Sequence, residues 1–523
     1  MNRLFTRTNH QNKIDTTVQQ AGVARTPLHR FIVTANRHLL LRGALLFILF
    51  ALLFAALQFA TPNLFGNDGY FHIKFAQIMR QQGLRPPFPW LPLTILNAEN
   101  FYDHHFLYHV LLIPFTFGDL RLGAKWAGVI SPALAFVAGW VVLRRQKVPY
   151  AALWALGFFA VSQAFLFRLS MTRVQAMSLL MLLLILHVTL TGRYRWLFSL
   201  SFIYIWLYDA FVLVLIVVSA YIVVSWLFER RLKWAPLGYA LLGLALGLLI
   251  NPYFPNNFIF IYHHILPKLV NTTAINVGNE WYPYSTWNLV ENSGPALLAF
   301  IAGAFALGLR EQRMEPRTAA LFLISVIFGL MVFKSRRFIE YFPAFALIFC
   351  ALAWSPLLDK WLANNKRLKR WLPLGMVLVL MAAIAFNLRK NWQEVRDSTS
   401  YQQYQQAAAW LQQNTSAGSL IFVTDWDDFT RLYFYNTHNA YTLGLDPTYM
   451  QSYNADLYEL WRNISQGREE PPSPAITQNF GTDYVLTDLD HVRFLYVAAA
   501  DPNMEEVYRD EEAVIFRILN SAP

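Results

Sequence analysis

Apolar residues fill this chain in long blocks separated by short polar stretches, and a block of about 17 to 25 apolar residues is the length that crosses a bilayer as a helix. The first block is centred on "LLFILFALLFAALQFA". "KWAGVISPALAFVAGWVVL", "YAALWALGFFAVSQAFLF" and "AMSLLMLLLILHVTL" follow it. The run from Leu197 to Phe228 is too long for one crossing and predicts two helices turning at Tyr208 and Asp209. "APLGYALLGLALGLLI", "ALLAFIAGAFALGL", "TAALFLISVIFGLMVF", "FIEYFPAFALIFCALAW" and "WLPLGMVLVLMAAIAF" complete the set. The pattern predicts a mainly α, polytopic helix bundle of about eleven spans.

From about Leu388 the pattern changes. No further spanning run occurs, and a helical "YQQYQQAAAWLQQN" precedes the β-rich runs "SLIFVTD", "TDYVLTD" and "EEAVIFRIL". This stretch predicts a small soluble α/β domain, with "NISQGREEPPSPAITQ" as a Pro-, Ser- and Gly-containing surface loop. The expected organisation is a basic tail over 1–42, a transmembrane region over 43–387 with polar loops at 61–118 and 251–292, and the α/β domain over 388–523.

Composition agrees: of 523 residues 56% are hydrophobic and only 14% charged, too apolar for one aqueous core. The net charge of +11 does not indicate nucleic acid, because the basic residues fall in short clusters between the spans. With the N-terminus in the cytoplasm, "RRQK", "RYR", "ERRLK", "REQRMEPR" and "DKWLANNKRLKR" all face inside, as the positive-inside rule requires. The basic tail is expected to be cytoplasmic and uncleaved. The single cysteine, Cys350, allows neither an intrachain disulfide nor a thiolate metal site.

That threading leaves the chemically interesting polar stretches on the outer face. "NDGYFHIKFAQIMRQQG" predicts a short helix carrying Asp68 and His72 on one side, with Asn67 or Asp68 available to cap it and Gly83 to stop it. "FYDHHFLYHVLLIPF" holds Asp103, His104, His105 and His109. These groups suit a divalent cation, manganese or magnesium, with Asp68, Asp103, His105 and Glu280 as ligands; they suit equally well an interfacial belt of aromatic and histidine anchors. In "NTTAINVGNEWYPYSTWN", Glu280 is either an oxygen ligand or a solvated loop acid. In "VFKSRRFIEYFPAFA", Lys334, Arg336 and Arg337 face outside against the charge trend. Lipid headgroups, a bound phosphate or diphosphate, or an ion pair with Glu340 would each stabilise them.

In the order of these parts the chain resembles the GT-C superfamily of membrane glycosyltransferases, and within it the catalytic subunits of oligosaccharyltransferases. Asp68 stands where the family has an aspartate just after the first span, and "TTAINVGNE" is similar to the acidic motif of a later outer loop, ending at Glu280. "RRFIEYFP" resembles the segment whose arginine holds the donor phosphate, which is Arg337 here. In "VTDWDDFTRLYFYNTHNAYTLG", Trp426 and Asp427 match the last two positions of a Trp-Trp-Asp segment, and Asp425 replaces its first tryptophan. "FRLSMTRVQAMS" lacks the family's metal-binding Asp-x-Asp and carries Arg168, Arg173 and Gln175. Metal dependence and sequon recognition therefore do not carry over.

The resemblance implies transfer of a sugar from a polyprenyl-phosphate donor to an unnamed glycan, lipid or protein acceptor, at the outer face of a bacterial inner membrane. Asp68 would be the base, Arg337 would neutralise the leaving phosphate with Arg336 and Lys334 beside it, and His72, Asp103, His104, His105 and Glu280 would orient the acceptor or hold a cation. A transporter or flippase of a lipid-linked saccharide is the rival reading. It predicts charges within the spans and paired broken helices, whereas here the polar residues gather in loops. Topology is directly testable: a reporter fused after Asn391 should be active only outside the cytoplasm, and cytoplasmic activity would overturn the span assignment.

Overall fold

The computed structural model describes residues 27–265, 278–311 and 313–519, and the expected motif at 272–277 therefore lies outside the described residues. Two compact units, 1–46 and 47–523, divide the chain. The helix Pro27–Gln58 begins in the first unit; in the second, its Phe50 and Phe54 are fully buried against Phe136 and Phe159.

Among the described residues seven helices are long and apolar enough to cross a membrane: His38–Gln58, Leu120–Arg145, Val212–Glu229, Thr286–Gly308, Pro316–Lys334, Phe342–Asn364 and Lys366–Arg396. An eighth crossing results if Ala151–Phe159 and Gln163–Ser170 count as one, but they meet at 80°, so the straight span expected over 150–167 is broken. The break has a local cause. After the 3-10 turn Gly157–Phe159, Ser162 is extended and its side chain accepts from the backbone N–H of Phe165, which starts a new helix in a new direction. The remaining expected spans form shorter apolar helices, Gln175–Leu190, Arg195–Leu207 and Ala235–Leu249. The run 197–228 does divide at Tyr208, which is extended between Arg195–Leu207 and Val212–Glu229.

The C-terminal region is built on a five-stranded sheet in the order β2-β1-β3-β5-β4, formed by β1 (Leu420–Val423), β2 (Ala440–Tyr441), β3 (Tyr484–Asp488), β4 (Met504–Arg509) and β5 (Ala513–Ile518). β1 pairs in parallel with β2 and β3, and β5 runs antiparallel to β3 and β4. β1, β3 and β5 are the three expected strands. The surface loop expected over 463–478 is largely helical, falling in Ala455–Ser465 and Pro472–Phe480. Pro472 and Pro474 sit in the first turn, where a missing N–H costs the helix nothing. The expected boundary at 387/388 lies inside the continuous helix Lys366–Arg396.

This region is not packed by itself. Phe71, Phe75, Phe88, Trp90 and Phe101 from the loop 61–118 share one buried cluster with Phe429, Tyr433, Tyr441, Ile421 and Leu486. Backbone bonds join the two parts, from the N–H of Tyr441 to the carbonyl of Trp90 (2.9 Å) and from that of Ile95 to the carbonyl of Tyr449 (3.1 Å).

Within the bundle, helices Arg195–Leu207 and Ala235–Leu249 approach closely because glycine lines their seam. A Cβ on Gly243 would stand 2.2 Å from the carbonyl oxygen of Phe198, whereas one on Gly238 would meet nothing within 4 Å. Gly243→Ala should therefore destabilise by about 1–3 kcal/mol through overpacking. Gly238→Ala should be neutral, and thermal denaturation of the two purified variants against wild type checks the difference.

Candidate active site

The helix Asp68–Gln82 begins with the acid and ends at Gly83, whose φ of 101° suits glycine. Neither Asn67 nor Asp68 caps it. The Asn67 amide donates to Oδ2 of Asp427 (3.0 Å) and accepts from Nε of Arg431 (3.0 Å), while Asp68 pairs with Nε of Arg173 at 2.7 Å. The first turn of this helix is thus held from outside, by the C-terminal region on one side and by the loop after Ser170 on the other.

One turn on, buried His72 enters a chain of hydrogen bonds. Nδ1 of His109 lies 2.8 Å from Oδ2 of Asp103, and with that ring neutral its Nε2 accepts from Nδ1 of His72, also at 2.8 Å. The proton order leaves Nε2 of His72 bare, and His72 lines a cavity of about 720 Å³. Burial, with His109 and Arg173 nearby, holds the His72 imidazole well below its ordinary pKa, and His105 is lowered in the same way by burial and the surrounding histidines. Both are neutral at pH 7. The His105 ring stacks on Tyr208, whose phenol burial pushes up to about 12.

The opposite wall is built from charge. Arg168, in the last turn of the helix Gln163–Ser170, donates from Nη2 to Oε2 of Glu280 at 2.8 Å and meets Oε1 of Glu340 at 2.5 Å. Arg173 reaches the same Oε2 at 3.2 Å, and Nη1 of Arg337 lies 3.5 Å from Oε1. Burial by itself would raise the Glu280 carboxyl, but Arg337, Arg173 and Arg168 overcome it and hold it well below the usual carboxylate range. The backbone fixes this acid: Oγ of Ser335 donates to the Glu280 carbonyl at 2.8 Å, and the N–H of Arg336 to the Tyr282 carbonyl at 3.0 Å. Arg337 lies over the ring of Trp281, 4.8 Å from its centroid.

Of the residues expected from the sequence, Asp68, His72, His104, His105, Glu280 and Arg337 line this one cavity, together with Trp426 and Asp427. Burial and the charges of Asp68 and Asp425 push the Asp427 carboxyl up to about 6. Asp103 stands behind the wall as the buried end of the histidine chain. Lys334 is exposed, and Arg336 turns away to the ring of Tyr284 and the carbonyl of Pro283. Glu340 pairs with Arg168, not with its neighbours 336 and 337. Sequence reasoning gave no role to Arg168 and Arg173, and it placed His109 in a group of potential cation ligands and not in a chain to His72. The first two carried the same signal as Lys334 to Arg337, arginines on the side where basic residues are disfavoured.

The expected cation ligands are engaged in other pairs. Asp68, Asp103, His105 and Glu280 do not come together as a ligand set: Asp68 and Glu280 are spent on arginines and Asp103 on His109. Among the described residues, the group placed to hold a metal is Asp425, Asp488 and His491, at the carboxyl ends of the adjacent parallel strands β1 and β3. There Oδ1 of Asp488 already accepts from the backbone of Asp490 and His491 and from Nδ1 of His491.

The sequence matches no protein-family profile and no curated protein. Solved structures do match. The oligosaccharyltransferase of Archaeoglobus fulgidus superposes with a TM-score of 0.65 at 13% identity, over 87% of this chain and 71% of that one. ArnT from Cupriavidus metallidurans, bound to undecaprenyl phosphate, gives 0.54 at 17%, over 90% of this chain and 97% of that one. The mycobacterial arabinofuranosyltransferase AftD gives 0.54 at 16%, over 90% and 41%. Across that low identity, the chain has the polytopic helix bundle with a C-terminal domain that characterises the GT-C membrane glycosyltransferases.

Proposed function

We propose that this protein is an integral-membrane glycosyltransferase. It moves a sugar or oligosaccharide from a polyprenyl-phosphate or diphosphate donor to an acceptor at the outer face of a bacterial inner membrane, with its N-terminus cytoplasmic and residues 388–523 outside. The observation that carries this reading is one cavity in which a cluster of three arginines stands beside neutral His72 and Asp68, the acid being paired with Arg173. Two structural neighbours support the donor class, ArnT holding undecaprenyl phosphate and the archaeal AglB holding a dolichol-phosphate.

The chemistry follows from the walls. The acceptor's nucleophilic atom bonds to the anomeric carbon as the bond from that carbon to the phosphate oxygen breaks, and the electron pair leaves with the phosphate. Arg337 and its neighbouring arginines neutralise that oxygen, and Asp68 takes the acceptor's proton. A single displacement inverts the anomeric centre. His72 and His105 are neutral and orient acceptor groups as donors or acceptors without adding charge, and the chain through His109 to Asp103 fixes which nitrogen of His72 faces the cavity.

Two variants test the assignment. Asp68→Asn keeps the size of the side chain and removes the base, so transfer from a radiolabelled polyprenyl-phosphate sugar in isolated membranes should fall at least about 100-fold with insertion unchanged. Wild-type turnover would reduce Asp68 to a structural partner of Arg173. Asp103→Asn replaces the carboxylate that holds Nδ1 of His109 and so loosens the ring that fixes His72. Transfer should fall about 10-fold with insertion unchanged, and wild-type turnover would make Asp103 a packing residue only.

A further inference from the structure

Three guanidinium groups converging on one carboxylate is an unusual arrangement beside a cavity. Arg168 and Arg173 both bind Oε2 of Glu280, and Arg337 binds Oε1. A carboxylate presents two oxygens sharing one negative charge. So does the phosphodiester that links a sugar to a polyprenyl chain, through its two non-bridging oxygens. We propose that Arg168, Arg173 and Arg337 form a metal-free site for one phosphodiester group, and that Glu280 occupies it until the donor arrives. The inference rests on the donor class proposed above and narrows it to a donor with a single phosphate.

Charge supports the metal-free assignment. The cluster opposes the carboxylates of Asp68, Glu280 and Glu340 to the three arginines, so no acid in it is left to hold a cation. A divalent ion brought among three guanidiniums would be repelled by all of them. The arginines already provide what such an ion supplies, positive charge on the phosphate oxygens and on the oxygen that leaves. The cluster also has spare capacity, because Nε of Arg337 is buried without a hydrogen-bond partner among the described residues.

Glu280 is suited to give way. Its side chain is 23% exposed, so it can exchange the arginines for water, whereas Glu340, at 1%, stays on Arg168 and holds that guanidinium in place. After the sugar departs, the phosphate gains a third free oxygen and a second charge, and the arginines then bind it more strongly than they bound the diester. Product release is favoured by the return of Glu280. The same acid that blocks the empty site therefore competes with the spent carrier.

The test measures binding of undecaprenyl phosphate to the full-length protein in phosphatidylcholine nanodiscs, in the presence of a chelator. Saturable binding that added manganese or magnesium does not improve is expected. Glu280→Gln should tighten it several-fold by removing the competing charge, and Arg173→Gln should weaken it about 10-fold or more, the scale of one charge-assisted hydrogen bond. These two variants carry the test, since Arg168→Gln strands the buried Glu340. A requirement for the metal, or weaker or unchanged binding by Glu280→Gln, would overturn the metal-free site and leave the donor class standing. No binding by wild type with or without metal would sink the lipid-phosphate donor itself. Equal displacement by phosphatidylglycerol or by inorganic phosphate would reduce the cluster to a general anion site and overturn the assignment.

Discussion

The bond network around Glu280 is the constraint on which the rest of the site depends. Its three arginines come from three places in the chain, the end of a bent helix, the loop after it and the 3-10 turn Arg336–Glu340. Buried charges of one sign cannot be brought this close without opposite charges among them, because the desolvation cost of each would go uncompensated. The bend at Ser162 is therefore functional in its effect. It ends one helix and starts another so that Arg168 lies between Glu280 and Glu340, and the N-cap that makes the bend possible is a single hydroxyl.

What the sequence made legible was what repeats or what lies close together. The crossings show as uninterrupted apolar runs, and three of the five strands show as β-branched and aromatic stretches. The bend does not show, because Gly157 and Ser162 hardly alter the hydropathy of their run. The helix at Pro472–Phe480 does not show either, since Pro and Ser mark both loops and helix starts. At the site, Asp68, His72, Glu280 and Arg337 were visible as polar residues in unusual places, and they do meet in one cavity. Their pairing was not visible. An ion pair such as Arg168 with Glu280 joins positions far apart in the chain, and no periodicity encodes it. The open choice at Asp103 and Glu280, between cation ligand and other roles, has that same origin: a carboxylate in a loop looks free until the arginine or histidine that takes it is seen.

The two walls of the cavity answer to different elements. The arginine wall belongs to the helical bundle and its loops, while the start of the Asp68 helix is tied to the C-terminal region through Asn67, which bonds Asp427 and Arg431. Arg431 also lies over the ring of Tyr70, two residues beyond Asp68. A change in the C-terminal region is transmitted to the first turn of the Asp68 helix by these contacts. The two parts of the cavity meet in the ion pair of Asp68 with Arg173.

The aromatic cluster shared by the loop 61–118 and the C-terminal region also sets a schedule for biogenesis. Phe71, Phe88 and Trp90 pack against Tyr433, and Phe71 also against Phe429, yet these partners are synthesised long afterwards. At roughly 5–20 residues per second, the roughly 350 intervening residues take the ribosome some 20 to 70 s. Throughout that interval these rings have one another and His109 to pack on but lack Phe429 and Tyr433, at the point in the chain that carries Asp68 and His72. Such a surface invites capture by a chaperone or by a second nascent chain. Docking of the C-terminal region closes the core and holds the first turn of the Asp68 helix in one event, so a chain that lacks it has an uncovered loop and an incomplete cavity together.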